Sequence, residues 1–195
     1  MFRSLIAVAC ALALVGCAPQ PNRDARVPIG PVAAVDLDRY SGLWYEIARF
    51  PDGAGQCFAT TSDLRIRSDA RIDVIETCLE GGLDGEERVR VDVARVVDPA
   101  TNGKLRIRRS WIFERDYWVL DRAEDYSWAL VGEPEGRYLW IYAREPAISD
   151  SLKRDLLAKL QARGYRTEAL SWTEQDQTKG RARRTFARDA GDLAP

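Results

Sequence analysis

Between residues 42 and 144 the chain alternates apolar and polar side chains in short runs, and a period of two is the signature of strands with one buried face. The runs are Gly42 to Phe50, Phe58 to Arg67, Arg71 to Leu79, Glu87 to Val97, Lys104 to Phe113, Asp116 to Asp121, Tyr126 to Gly132 and Arg137 to Arg144. Turn-forming residues separate them: Gly81-Gly82 with Asp84-Gly85, Asp98-Pro99 with Asn102-Gly103, and Glu133-Pro134 with Gly136. The pattern then changes to a helical one. Ser149 can cap a helix from Asp150 to Arg163 with Leu152, Leu156, Leu157 and Leu160 on one stripe and Gly164 as its stop, and a last short strand spans Thr167 to Trp172. Eight antiparallel strands in sequence order predict an all-β domain, and closure into an up-and-down barrel would remove the free edges. A filled barrel or an open sandwich fits the alternation as well. Tyr138, Trp140 and Tyr142 share one face of the eighth run and Tyr126, Trp128 and Leu130 one face of the seventh, rings that can fill a core or line a pocket.

The ends of the chain read differently. Arg3 followed by the apolar stretch Leu5 to Val15 is a secretory signal, too short to span a bilayer as a mature helix. Leu14-Val15-Gly16-Cys17 resembles the bacterial lipobox, which implies removal of residues 1–16 and acylation of Cys17. More than one acyl chain is what stable anchoring requires. Residues 17–35, with Pro19, Pro21, Pro28 and Pro31, read as an extended tether, about 25 Å long as a coil and about 55 Å as polyproline II. Residues 173–195 read as a polar, disordered tail carrying Lys179, Arg181, Arg183, Arg184 and Arg188, a charge pattern suited to an anionic surface.

Composition narrows the chemistry. The 195 residues contain no histidine, which removes the usual general base and the usual zinc ligand, and with them Ser-His-Asp and Cys-His catalysis. The carboxylates sit at strand ends and turns, so no catalytic residue, metal or cofactor is assigned. With 29 basic and 30 acidic side chains nothing points to nucleic acid. Of four cysteines, Cys10 leaves with the signal and Cys17 is taken by lipid, leaving Cys57 and Cys78 in an oxidising compartment. The hairpin from 58 to 79 brings them together, so a disulfide is predicted, worth about 3 kcal/mol for a loop of that size.

Three segments together resemble the lipocalin family, in the form of bacterial outer-membrane lipoproteins related to apolipoprotein D. Gly42-Leu43-Trp44-Tyr45-Glu46 after Asp36-Leu37-Asp38-Arg39-Tyr40 is similar to the family's Gly-x-Trp motif. Tyr117-Trp118-Val119-Leu120-Asp121 with Asp125 to Gly132 looks like the second motif, and Tyr138 to Pro146 like the third. The resemblance spans residues 36–172 and implies an eight-stranded barrel with the helix outside. It also implies a structural pair at the closed end, Trp44 under Arg144. Where similar proteins carry a Pro-Phe-x-Gly-like stretch, this chain has Trp111 to Asp116.

For function, the resemblance implies non-covalent binding of a small apolar ligand, a fatty acid or lysophospholipid, for storage, salvage or transport in the cell envelope. The protein would be held on the periplasmic side of the outer membrane, as a monomer or homodimer. Candidate cavity residues are Ile107, Arg109, Trp111, Tyr126, Trp128, Tyr138, Trp140 and Tyr142. Arg109 is expected either to meet an anionic head group or to neutralise Glu46. A barrel enzyme acting on a lipid or isoprenoid, and a structural envelope protein with a filled barrel, are the alternatives.

Overall fold

The structure, a computed structural model, describes residues 21–176 except positions 31, 54 and 112. The signal segment, Cys17 and the basic tail beyond 176 lie outside the described residues. Eight antiparallel strands follow in order: β1 (Gly42–Arg49), β2 (Cys57–Ile66), β3 (Ile72–Glu80), β4 (Glu86–Val96), β5 (Lys104–Arg108), β6 (Glu114–Arg122), β7 (Trp128–Gly132) and β8 (Leu139–Ala143). Each pairs with the next, and β1 pairs with both β2 and β8, which closes the barrel. A short helix α1 (Leu37–Tyr40) precedes the barrel, and α2 (Asp150–Gln161) lies outside it, followed by a two-residue strand β9 (Ser171–Trp172) paired with β1.

Two apolar cores result from the alternation. Trp44, Leu64, Ile72, Val74, Leu105, Ile107, Tyr117, Val119, Ala129, Val131, Trp140 and Tyr142 pack inside the barrel. Tyr45, Leu130, Leu139 and Ile141 point outward and are covered by Leu156 and Leu160 of α2. Ser149 caps that helix by accepting from the Leu152 amide, as its position before the apolar stripe predicts.

Several segments differ from the expected pattern. The run Lys104 to Phe113 stops as a strand at Arg108, because the register Arg108 to Glu114 leaves Arg109, Ser110, Trp111 and Phe113 in a hairpin turn closed by the Arg109 amide on the Phe113 carbonyl, 3.0 Å. Residues 167–169 form a 3-10 turn before β9. Residues 21–30 and 32–35, expected as part of an extended tether, lie along the barrel: Asn22 N–H donates to Gly136 (2.7 Å), Asp24 to Gly164 (2.8 Å) and Ala33 to Val119 (3.0 Å). Gly136 and Gly164 exist to admit it. A Cβ on Gly136 would stand 2.2 Å from Arg23 Cβ, and one on Gly164 would stand 2.9 Å from the Asp24 carbonyl, while both residues hold positive φ.

The first residues of the expected tail are also built in. β1 and β2 pair only over Gly42 to Tyr45 and then diverge. The Thr173 amide donates to Ile47, the Ala59 amide to Glu174, and the Gln175 side chain to the carbonyls of Glu46 (2.7 Å) and Thr60 (2.8 Å), filling that gap.

Candidate functional site

One end of the barrel is sealed. Asp36 caps α1, which lies across the strand ends, and the Arg144 guanidinium sits 3.7 Å above the Trp44 ring. Arg144 donates to the main-chain carbonyls of Arg39, Tyr40, Ser41 and Leu43 at 2.7 to 3.1 Å, and Trp44 Nε1 donates to Tyr40 at 2.8 Å. Burial lowers the guanidinium pKa to about 10. Just inside, the Tyr40 and Tyr117 hydroxyls share a hydrogen bond of 2.8 Å, and burial pushes Tyr117 up to about 12, so the pair is neutral.

The other end is open and its lining is charged. The face of β4 that carries Ala94 inward also carries Arg90 and Asp92, while Val89 and Val91 point to solvent, 54% and 58% exposed. This inverts the usual arrangement. Arg90 pairs with Glu76 and lies 3.4 Å from Asp92, and Arg109 lies 3.7 Å from Asp92. Arg115, on β6, has a side chain only 10% exposed, 3.6 Å from Glu76, with its guanidinium over Trp140 (4.8 Å) and Tyr138 (5.4 Å). Its Nε and Nη1 are buried with no hydrogen-bond partner in the protein. Arg90 is pushed below its ordinary pKa by burial and by the nearby charge of Arg109 and Arg115.

The space between these groups is small. A cavity of about 50 Å³ is lined by five arginines (Arg49, Arg88, Arg90, Arg109, Arg115), three carboxylates (Glu46, Asp52, Glu76), Trp140 and the Cys57–Cys78 disulfide. That volume is well below the roughly 300–1,000 Å³ of a ligand pocket. Beside it on the rim lies a groove of about 640 Å³, bounded by Arg109, Phe113, Arg115, Arg137 and Tyr138. Inner-facing rings pack the barrel below this cavity, and Arg115 stands at the mouth.

The expected cavity residues divide accordingly. Arg109, Tyr138 and Trp140 stand at the mouth, and Ile107 and Tyr142 lie deeper in the inner core. Tyr126 belongs to the sealed end, where its hydroxyl accepts from the Asp36 amide (2.8 Å) under Arg39 and Arg122. Trp111 is 90% exposed in the β5–β6 turn, because the strand ended three residues earlier. Trp128 faces outward to α2, with Lys159 5.6 Å from its ring, because the inner face of β7 is the small pair Ala129 and Val131. Arg109 pairs with Asp92, whereas Glu46 accepts from Thr173 (2.6 Å) and lies 3.4 Å from Arg49. Alternation missed Arg90, Asp92 and Arg115 because it orders faces without saying which is inside. The signal present was charge on every second residue of β4.

The lipocalin-like domain profile matches residues 35–175. The outer membrane lipoprotein Blc of Vibrio cholerae is 30% identical over 89% of this chain and 99% of its own length. The Blc lipoprotein of Citrobacter freundii is 33% identical over 87% of this chain and 94% of its own. Among solved structures, insecticyanin of the tobacco hornworm aligns with a TM-score of 0.61 at 17% identity, over 82% of this chain and 89% of that one. That likeness concerns the fold. With a sealed eight-stranded barrel, the Trp44–Arg144 pair and this profile match, the chain belongs to the lipocalin family.

Proposed function

We propose that this chain is an outer-membrane lipoprotein, anchored through Cys17 on the periplasmic side, whose barrel takes a single-chain anionic amphiphile, a fatty acid or a lysophospholipid. The carrying observation is Arg115: a buried guanidinium with two unpartnered nitrogens, resting on aromatic rings at the open end. A carboxylate or phosphate would satisfy those donors with charge-assisted bonds. The alkyl chain supplies the affinity. Each methylene removed from water contributes about 0.8 kcal/mol, an upper bound on the order of 10 kcal/mol for a long chain before immobilisation is subtracted. That gain is measured from water, so the barrel competes for dissolved monomers rather than for lipids already in a bilayer.

Loading requires movement, because the cavity between Arg115 and Trp140 holds about 50 Å³ and inner-facing rings pack beneath it. The head group draws Arg115 off Trp140 and Tyr138, and the alkyl chain follows from the rim groove into the space vacated. Such a step serves storage, salvage or transfer in the envelope and needs no chemical reaction. The small lumen also favours a second reading, a structural envelope protein with a permanently filled barrel. Native mass spectrometry of the detergent-extracted protein separates them. The carrier reading predicts acylated Cys17, an intact disulfide and one bound fatty acid or lysolipid per chain; acylated protein that carries no lipid and accepts none on incubation with palmitate supports the filled barrel.

A further inference from the structure

Four of the six large apolar side chains that stand exposed among the described residues gather at the open end: Val89 and Val91 on β4, and Trp111 and Phe113 in the β5–β6 turn. The remaining two stand apart from this patch, Ile66 at the sealed end and Trp172 on the far side of the open rim, paired with Ala48 and beneath the Lys153 ammonium at 3.6 Å. The patch arises because β5 ends at Arg108, opposite Val93, while β4 continues to Glu86 without that neighbour. Trp111 is 90% and Phe113 66% exposed, and Phe113 also borders the rim groove. Among the described residues, none covers these rings.

The path of the chain gives this patch a direction. Pro21 is held at the same end of the barrel: its carbonyl accepts from Arg166, the Asn22 amide donates to Gly136 in the β7–β8 turn, and Arg23 donates to Pro134 (3.0 Å) and Arg163 (2.9 Å). Cys17 is four residues upstream. Four extended residues span about 14 Å at most, so an acylated Cys17 brings the open rim to the bilayer rather than holding it away.

We infer that the open rim docks on the lipid bilayer, with Trp111 and Phe113 of the β5–β6 turn inserted at the level of the head groups. The inference rests on the reading of Cys17 as acylated. Tryptophan is a residue of membrane interfaces, where an amphipathic ring meets head groups, and an exposed apolar patch of this kind marks a contact surface. Contact is apolar rather than electrostatic, since Arg108 is already paired with Glu114 (3.2 Å) and Arg109 with Asp92. The acidic corner formed by Asp84 of the β3–β4 turn with Glu86 and Glu87 at the start of β4 favours water on that side of the rim. Docking in this pose places the arginine-lined mouth where monomeric lipids leave the membrane.

The test uses the full-length acylated protein in phosphatidylethanolamine–phosphatidylglycerol vesicles containing a lipid brominated high in its acyl chain. Tryptophan emission is expected to be quenched and blue-shifted, to stay quenched in high salt, and to lose most of that quenching in Trp111→Ala but not in Trp172→Phe. If the acylated protein floats with the vesicles and its quenching matches that of Trp111→Ala, docking is overturned and the anchor stands. The acyl-free Cys17→Ser chain with the same vesicles provides an arm independent of acylation: binding several-fold weaker in Trp111→Ala supports docking, and binding unchanged by the substitution overturns it. A dimer that Trp111→Ala converts to monomer, without quenching in either form, overturns it in favour of contact between copies.

Discussion

Arg144 commits a buried guanidinium to four main-chain carbonyls and one indole face, so its loss removes a plug and leaves acceptors unsatisfied together. Arg144→Ala is expected to lower the unfolding free energy by about 3 kcal/mol in urea denaturation. Arg144→Lys should recover only part of it, since one ammonium cannot fork to four carbonyls. Glu46 makes a pH-dependent prediction. Burial raises its pKa from the ordinary 4.5, against the opposing Thr173 hydrogen bond and Arg49 charge. Between 4.5 and the raised value the folded chain binds more protons than the unfolded chain, so this group lowers stability as pH rises through that window. Denaturation of wild type and Glu46→Gln across pH should show the variant gaining on wild type as pH increases. A constant difference would show that Glu46 does not titrate in the folded state.

Among the elements, the β2–β3 hairpin is stapled at the open end by Cys57–Cys78, closing a sequence separation of 21. Cys57→Ser with Cys78→Ser is expected to cost about 3 kcal/mol by thermal or chemical unfolding, without loss of the barrel. The docked N-terminal segment predicts a local effect. Gly136→Ala sets a Cβ against Arg23, so hydrogen exchange should quicken at Asn22 and Asp24 while the β1 and β8 amides stay protected. How much of this was legible depended on the element. The motifs around Trp44 and Tyr138 to Arg144 carried strand order, the sealed end and the inward ring set of β8, because large rings at every second position and a fixed motif order constrain the face. In β4 the same period was visible, but the hydrophobic rule assigns valines inward and the barrel places Arg90 and Asp92 there. Trp111 and Phe113 read as strand in the alternation, and only the pairing of Arg108 with Glu114 puts them in a turn. Long-range partners such as Gln175 with Glu46 and Thr60 left no local trace.

At the scale of the whole molecule, the barrel is asymmetric: neutral tyrosines and a cation–π plug at one end, guanidiniums over tryptophan at the other, and the incoming chain and exposed aromatics on that second rim. These features fit together if Arg115 is a displaceable closure read by an anionic head group. Calorimetric titration of palmitate and of an uncharged monoacylglycerol into wild type and Arg115→Met measures it directly. Wild type is expected to bind one palmitate per chain saturably, weakened about tenfold by the substitution, equivalent to about 1.4 kcal/mol, with monoacylglycerol affinity unchanged or improved. Absence of saturable palmitate binding in wild type, or equal weakening of both ligands in the variant, would contradict it.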